Sequence, residues 1–293
     1  TLYLFTLCAT FGAISAQVLI PFASSISPPE SSAAIVGKLM SGLVMGIILS
    51  RTFAGFVSNY WSWEGVYLSS GVITLLFATL MWRKLPNTQP QSDLNIVSIY
   101  QSLFQIARNN PHLIRRACAG ALGFGILSMV FTSMTFALGS APYFFNDFEI
   151  GLFGLLGVIG IYSSSWSGKT VGLGKENLVA KLCISLMLFS CVPLFFAQQN
   201  IWIYAIGVLM SYFGLTAFHV LNQNLVYRID AKARSRINAV YMTIYFSGAA
   251  LGSLGAVYAW EHWQWQGCVA LGLIFAIGIL WIDRLDFKLM RKN

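Results

Sequence analysis

Charge is what this sequence has least of. Of its 293 residues, 18 are Lys or Arg and 10 are Asp or Glu. That is 10% charged, against roughly 25% in an average soluble domain. With 57% hydrophobic residues, a water-soluble fold of this length would leave a large apolar surface bare. Cysteine pairs are missing too. Cys8, Cys118, Cys183, Cys191 and Cys268 all fall inside apolar stretches, without CxxC spacing or a companion histidine pattern. A disulfide framework and a zinc ribbon are therefore excluded, and these thiols read as small buried hydrophobes. No basic segment and no small-residue cleavage site frames the first apolar run, so it is not a cleavable signal peptide.

What the chain has is long apolar runs. A bilayer core about 30 Å thick needs about 20 mostly apolar residues per helix, and a helix satisfies its own backbone groups where water cannot. Nine such stretches are expected, over roughly 2–22, 33–57, 65–83, 117–139, 149–167, 179–197, 201–226, 238–259 and 267–283. Basic residues sit in alternate connections: Lys38; Arg83, Lys84, Arg108, Arg115 and Arg116; Lys169, Lys175 and Lys181; Arg228, Lys232, Arg234 and Arg236; Arg284, Lys288, Arg291 and Lys292. The other connections carry only acidic charges, among them Glu64, Asp147 and Glu261. By the positive-inside rule the basic connections face the cytoplasm, the C-terminus lies inside and Thr1 outside. Net charge of +8 is thus a topological signal, and nucleic acid is not an expected partner. Tyr60, Trp61 and Trp63, and again Trp260, Trp263 and Trp265, suit an interfacial aromatic belt at the outer ends.

An outside N-terminus without a cleavable signal, together with a start at Thr1, reads as a fragment. Three further spans would restore a cytoplasmic start and a total of twelve. The longest polar stretch, 84–116, divides the chain. Within it Leu94, Val97, Tyr100, Leu103, Phe104 and Ala107 recur every three or four residues, the pattern of an amphipathic helix on the membrane surface; the alternative is a disordered linker with one helical turn. The two sides of this divide echo each other. GLVMG at 42–46 precedes WSWEG at 61–65, and GAALG at 248–252 precedes WQWQG at 263–267. Either the last three spans duplicate the first three, as in parallel-repeat transporters, or Gly-rich spans and Trp-rich interfaces recur by composition. The expected organisation is 1–85 as the remnant of an N-terminal six-helix half, 86–116 as a cytoplasmic linker and 117–293 as a C-terminal six-helix half.

Four segments carry a family resemblance. GKLMSGLVMGIILSRTFAGFV, from Gly37 to Val57, is similar to the antiporter motif of the fifth helix of the Major Facilitator Superfamily. The run from Asn146 to Glu176 resembles that family's eighth helix and following loop, Asn222 to Ala256 resembles the junction of its tenth and eleventh, and WQWQGCVALG resembles the start of its twelfth. The likeness covers essentially the whole chain and points to the branch of twelve-span proton-coupled drug and sugar exporters. One departure is that Gly46 is followed by Ile47 and Ile48, where that motif usually carries a proline. The fold class so implied is an all-α membrane protein, a Major Facilitator-like helical bundle.

The resemblance implies a secondary active transporter. It would export a drug- or sugar-like molecule by alternating access, coupled to protons, as a monomer in the bilayer of a bacterial inner membrane. The alternative is an inactive truncated remnant of such a protein. HExxH, GxSxG and paired intramembrane carboxylates are all absent, so neither an enzyme nor a cofactor is expected.

Arg51 is the sharpest single feature, because a guanidinium inside a span costs several kcal/mol. Two readings stay open: it faces the cavity or the interface between halves and attracts an anion, or it snorkels to the outer surface. In the family the first, fourth, seventh and tenth helices line the cavity, here the first, fourth and seventh spans. Their polar residues are Ser15 and Gln17; Ser128, Thr132 and Thr135; and Tyr212, His219, Asn222 and Gln223. These either line the cavity or serve helix packing and capping. His219, the only histidine within an expected span, either relays protons or packs as a neutral hydrogen-bonded group. Gly42, Gly46, Gly55, Gly248 and Gly252 are candidates for close helix packing, which in this family is also the seal that moves.

Overall fold

A computed structural model of the chain describes the backbone of residues 29–85, 96–230 and 233–290, with Thr10, Gly12, Leu19 and Phe22 before them. Side-chain detail covers the same ranges apart from much of 29–48, residue 96 and residues 287–290. The first expected span, with Ser15 and Gln17, lies outside the described residues, as does Cys8.

Every described element is helical. In chain order they are α1 (Pro29–Tyr60), α2 (Trp63–Lys84), α3 (Ile96–Asn109), α4 (Pro111–Gly139), α5 (Asp147–Leu152), a 3₁₀ segment (Phe153–Val158), α6 (Ile159–Gly172), α7 (Glu176–Phe189), α8 (Cys191–Phe195), α9 (Ile201–Tyr227) and α10 (Arg234–Met290). Among the described residues, six helical segments are long and apolar enough to cross a bilayer. The last of them, α10, carries two expected spans, because its helix is broken at Gln264 (φ 55°, ψ −149°). The expected connection at 260–266 is therefore helical except at this one residue. The second expected span falls inside α1.

The polar connections at the non-basic end work as helix starts. Ser62 accepts from the Gly65 amide at 3.1 Å, and Asn200 accepts from the Trp202 amide at 2.8 Å. Asn146 and Glu149 form a reciprocal capping box at the start of α5. Each such cap contributes about 1 kcal/mol and silences a backbone donor where the chain leaves the bilayer. Tyr143 ties its loop to the end of the α7–α8 run by donating to the Ala197 carbonyl at 2.6 Å. Burial raises that hydroxyl's pKa, so it stays a donor.

The core runs along α4, whose buried face carries Leu113, Ala117, Ile126, Val130, Met134 and Leu138. Helix α10 is its main partner, and α9 packs against α4, α6 and α7. On the outside, Trp82, Leu75, Trp202, Leu254 and Ile274 are more than half exposed, an apolar surface suited to lipid tails. Helix α2 shows almost no buried residues and touches chiefly α1. Helix α1 crosses to α5 and the 3₁₀ segment, joining the first part of the chain to the second. Helix α3 lays Leu103, Ile106 and Ala107 against the bundle beside α10, while Val97, Tyr100 and Phe104 remain exposed.

Candidate functional site

Arg51 stands in the C-terminal half of α1 and reaches away from its own helix. Its guanidinium carbon lies 3.6 Å from the centroid of the Phe131 ring on α4. That contact is made across the bundle, not along α1 towards Ser58 and the surface. The room for it comes from glycine. At Gly154 a Cβ would lie 2.6 Å from the Cβ of Arg51, and at Gly157 one would lie 3.0 Å from the Tyr212 hydroxyl. A 3₁₀ helix has three residues per turn, so Gly154 and Gly157 share one face of the segment that separates α1 from α9. Just before it, Gly151 and Gly55 bring the two backbones together, and the Thr52 hydroxyl donates to the Gly151 carbonyl at 3.2 Å.

The Phe131 ring meets Tyr212 edge-on at 5.4 Å, and both are buried. Tyr204, 1% exposed, packs on Phe153 and Trp265. Its hydroxyl has no hydrogen-bond partner among the described residues, and the Phe153 it packs on precedes the Gly154 that meets Arg51. A desolvated cation–π contact offsets about 2 kcal/mol, short of the several kcal/mol that a guanidinium costs inside a bilayer. No carboxylate pairs with Arg51 among the described residues.

A second polar group lies further along α9. His219 Nδ1 is 3.2 Å from the Tyr241 hydroxyl, and its ring stacks on Tyr245 at 4.4 Å. Asn222, one turn on, is wholly buried, and its two amide atoms have no hydrogen-bond partner among the described residues. Leaving both unmade costs about 1–3 kcal/mol each in a packed site without water. Gln223 is half-buried.

The remaining sequence-predicted residues scatter. Thr132 shares a hydrogen bond of 2.8 Å with Ser253 of α10; Ser128 is half-buried and Thr135 is exposed. Gly248 and Gly252 mark the crossing of α10 over α4, where added methyl groups would overlap the carbonyl oxygens of Ala121 and Gly125. Gly55 makes the analogous crossing with the Asp147 carbonyl. Gly42 and Gly46 are exposed, with no described atom within 4 Å of an added methyl.

Sequence reasoning missed Phe131, Tyr204, Tyr241 and the 3₁₀ glycines. Gly151, Gly154, Gly157 and Gly160 recur at every third residue, and that period was the available signal. It also missed an ionic cluster at the basic end. There the Asp286 carboxylate, itself buried, accepts from Arg115 at 2.8 Å and Arg116 at 2.7 Å and lies 2.9 Å from His112; Arg116 also holds Asp283 at 2.9 Å. A cavity of about 500 Å³ opens beside it, lined in part by Glu176, Arg228, Leu221 and Leu225.

Comparison with known proteins places this geometry. The family model described as Major Facilitator Superfamily matches residues 1–253. A protein named as an uncharacterized transporter, YgaY, of Escherichia coli O157:H7 is 35% identical over 268 residues, 91% of this chain and 68% of its own length. The K12 strain's putative uncharacterized transporter YgaY matches over the same shares at the same identity. A protein named as a probable transporter, SCO4007, of Streptomyces coelicolor is 26% identical over 273 residues, 92% of this chain and 63% of its own. An all-helical bundle with bilayer-length spans, a glycine-lined crossing between its two parts and a family match over most of its length lead to one assignment: the chain belongs to the Major Facilitator Superfamily of membrane transporters, and is not an enzyme.

Proposed function

We propose that the chain is a proton-coupled secondary transporter that exports a small drug- or sugar-like molecule by alternating access. The observation that carries this reading is Arg51, which extends from the first part of the chain through a glycine-lined gap onto Phe131 and towards Tyr212 of the second part. A side chain bridging two helical bodies changes its surroundings whenever those bodies rock, which is what a transport site between repeats requires. In this reading the basic connections and the C-terminus face the cytoplasm, the membrane is a bacterial inner membrane and the protein acts as a monomer.

Proton coupling falls to His219. Among the described residues no Asp or Glu lies in the middle of a span, and His219 is the titratable group that sits with a hydroxyl partner, Tyr241, beside the unpaired Asn222 amide. Purified protein in proteoliposomes loaded with the pH dye pyranine, challenged with ethidium and with a non-metabolised thiogalactoside, tests both statements. Substrate-dependent proton movement is the expected result, falling at least tenfold in His219→Gln. Equal coupling in that variant would remove His219 from the mechanism. No flux of any solute from the wild-type chain would favour the alternative, an inactive remnant.

A further inference from the structure

Five described carboxylates are committed elsewhere, and none of the described ones pairs with Arg51. Asp283 and Asp286 hold the α4 arginines, Glu176 holds Arg228, Asp147 accepts from Ser58 two turns away from Arg51, and Glu149 closes a capping box on its own helix. Among the described residues Arg51 meets an aromatic face and no anion. A second unmet demand is the Tyr204 hydroxyl, 1% exposed and without a partner among the described residues, whose ring packs on Phe153, the neighbour of the Gly154 that meets Arg51. A half-buried cation and a buried neutral donor, on helices that meet either side of Phe153 and Gly154 and with no described acceptor for either, define a place for an anion supplied from outside the chain.

The geometry narrows the anion. Phe131 occupies a face of the guanidinium at 3.6 Å, and the five N–H donors of an arginine lie in its plane. Stacking therefore leaves the edges free for two parallel bonds to a carboxylate, the pairing that a planar fork favours. The rings of Phe131, Tyr212 and Tyr204 suit a flat organic body behind that carboxylate better than the many hydroxyls of a sugar.

We propose that Arg51, Tyr204 and Tyr212 form the anion-binding part of the transport site, and that the carried compound is a small organic anion with an aromatic or apolar body. This rests on the transporter reading, since it names the substrate of that site. The test is thermal unfolding of the full chain in dodecyl maltoside with benzoate, with its neutral isostere benzamide, and with chloride at matched ionic strength. Benzoate is expected to raise Tm saturably, while benzamide and chloride do not. Arg51→Gln is expected to abolish the benzoate shift and Arg51→Lys to weaken it, because a point ammonium cannot make the paired bonds. Tyr204→Phe removes one donor to a charged acceptor and is expected to weaken apparent affinity about tenfold or more. This variant deletes only an unpaired hydroxyl, so it keeps the test open if Arg51→Gln fails to fold.

Equal shifts from benzoate and benzamide, or full benzoate binding by Arg51→Gln or Tyr204→Phe, would overturn the proposal. Proteoliposome flux separates the two layers. Wild-type protein that moves ethidium or thiogalactoside but ignores benzoate overturns the anion inference alone. Benzoate bound through Arg51 without flux of any of the three overturns the transporter reading and leaves the site.

Discussion

At Gly248 and Gly252 the α10 helix lies so close to α4 that a single methyl group would strike the carbonyl oxygens of Ala121 and Gly125. Backbone atoms cannot swing aside as a side-chain tip can, so the helices must part. Overpacking of this kind typically costs 1–3 kcal/mol. Gly252→Ala is therefore expected to lower Tm by several degrees in detergent, whereas Gly46→Ala is expected to leave it unchanged or raise it slightly, since Ala is the better helix former by about 1 kcal/mol. Comparable losses from both variants would show that the α4–α10 crossing is not the tight one. Both glycines stand in the same five-residue echo, GLVMG and GAALG, so the sequence alone treats them as equals. What separates them is the partner helix, which begins more than a hundred residues away from Gly252. Arg51 behaves in the opposite way. Its cost inside a span is readable from the sequence, while Phe131 and Tyr204, which meet or face it, are ordinary aromatics until the fold brings them in.

At the scale of elements, α4 and α10 are held at both depths, by glycine contact in the middle and by ions at the basic end. The Asp286 carboxylate receives three partners from one turn of α4 and is almost wholly enclosed. Removing one side of a buried pair leaves uncompensated charge and costs about 3–5 kcal/mol. Asp286→Asn, which keeps the shape, is expected to lower thermal stability more than Glu176→Gln, because Arg228 is largely exposed and its pair with Glu176 belongs to the class worth about 1 kcal/mol or less. Equal effects in the two variants would contradict the enclosure of Asp286. Six bilayer-length segments were legible from apolar run length, the first expected span lies outside the described residues, and the amphipathic period over 94–107 marks the place of α3. The turn expected at 260–266 is in the right place but is far tighter than a loop, for a physical reason. Its Glu, His and Gln residues are polar enough for a loop, yet they continue the helix, and the reversal is concentrated at Gln264, whose positive φ no local residue preference announces.

For the whole molecule, composition alone dictates apolar surroundings, and the alternation of cationic connections supplies an orientation that the bundle's own packing does not contain. The relation between its two parts is a matter of shape. In the Gly151–Gly160 run, Gly151 and Gly154 let α1 and its Arg51 approach, while Gly157 and Gly160 admit Tyr212 and Thr216 of α9. Movement of a solute through such a crossing, with each side opening in turn, has a kinetic signature that a leak or a static scaffold lacks. The direct measurement is counterflow in proteoliposomes: uptake of labelled benzoate, thiogalactoside or ethidium by vesicles preloaded with the same unlabelled compound. Saturable uptake that preloading accelerates, absent from protein-free vesicles of the same lipid, is the predicted result. Uptake of all three that rises linearly with concentration and is indifferent to preloading, at the rate of protein-free vesicles, would contradict it.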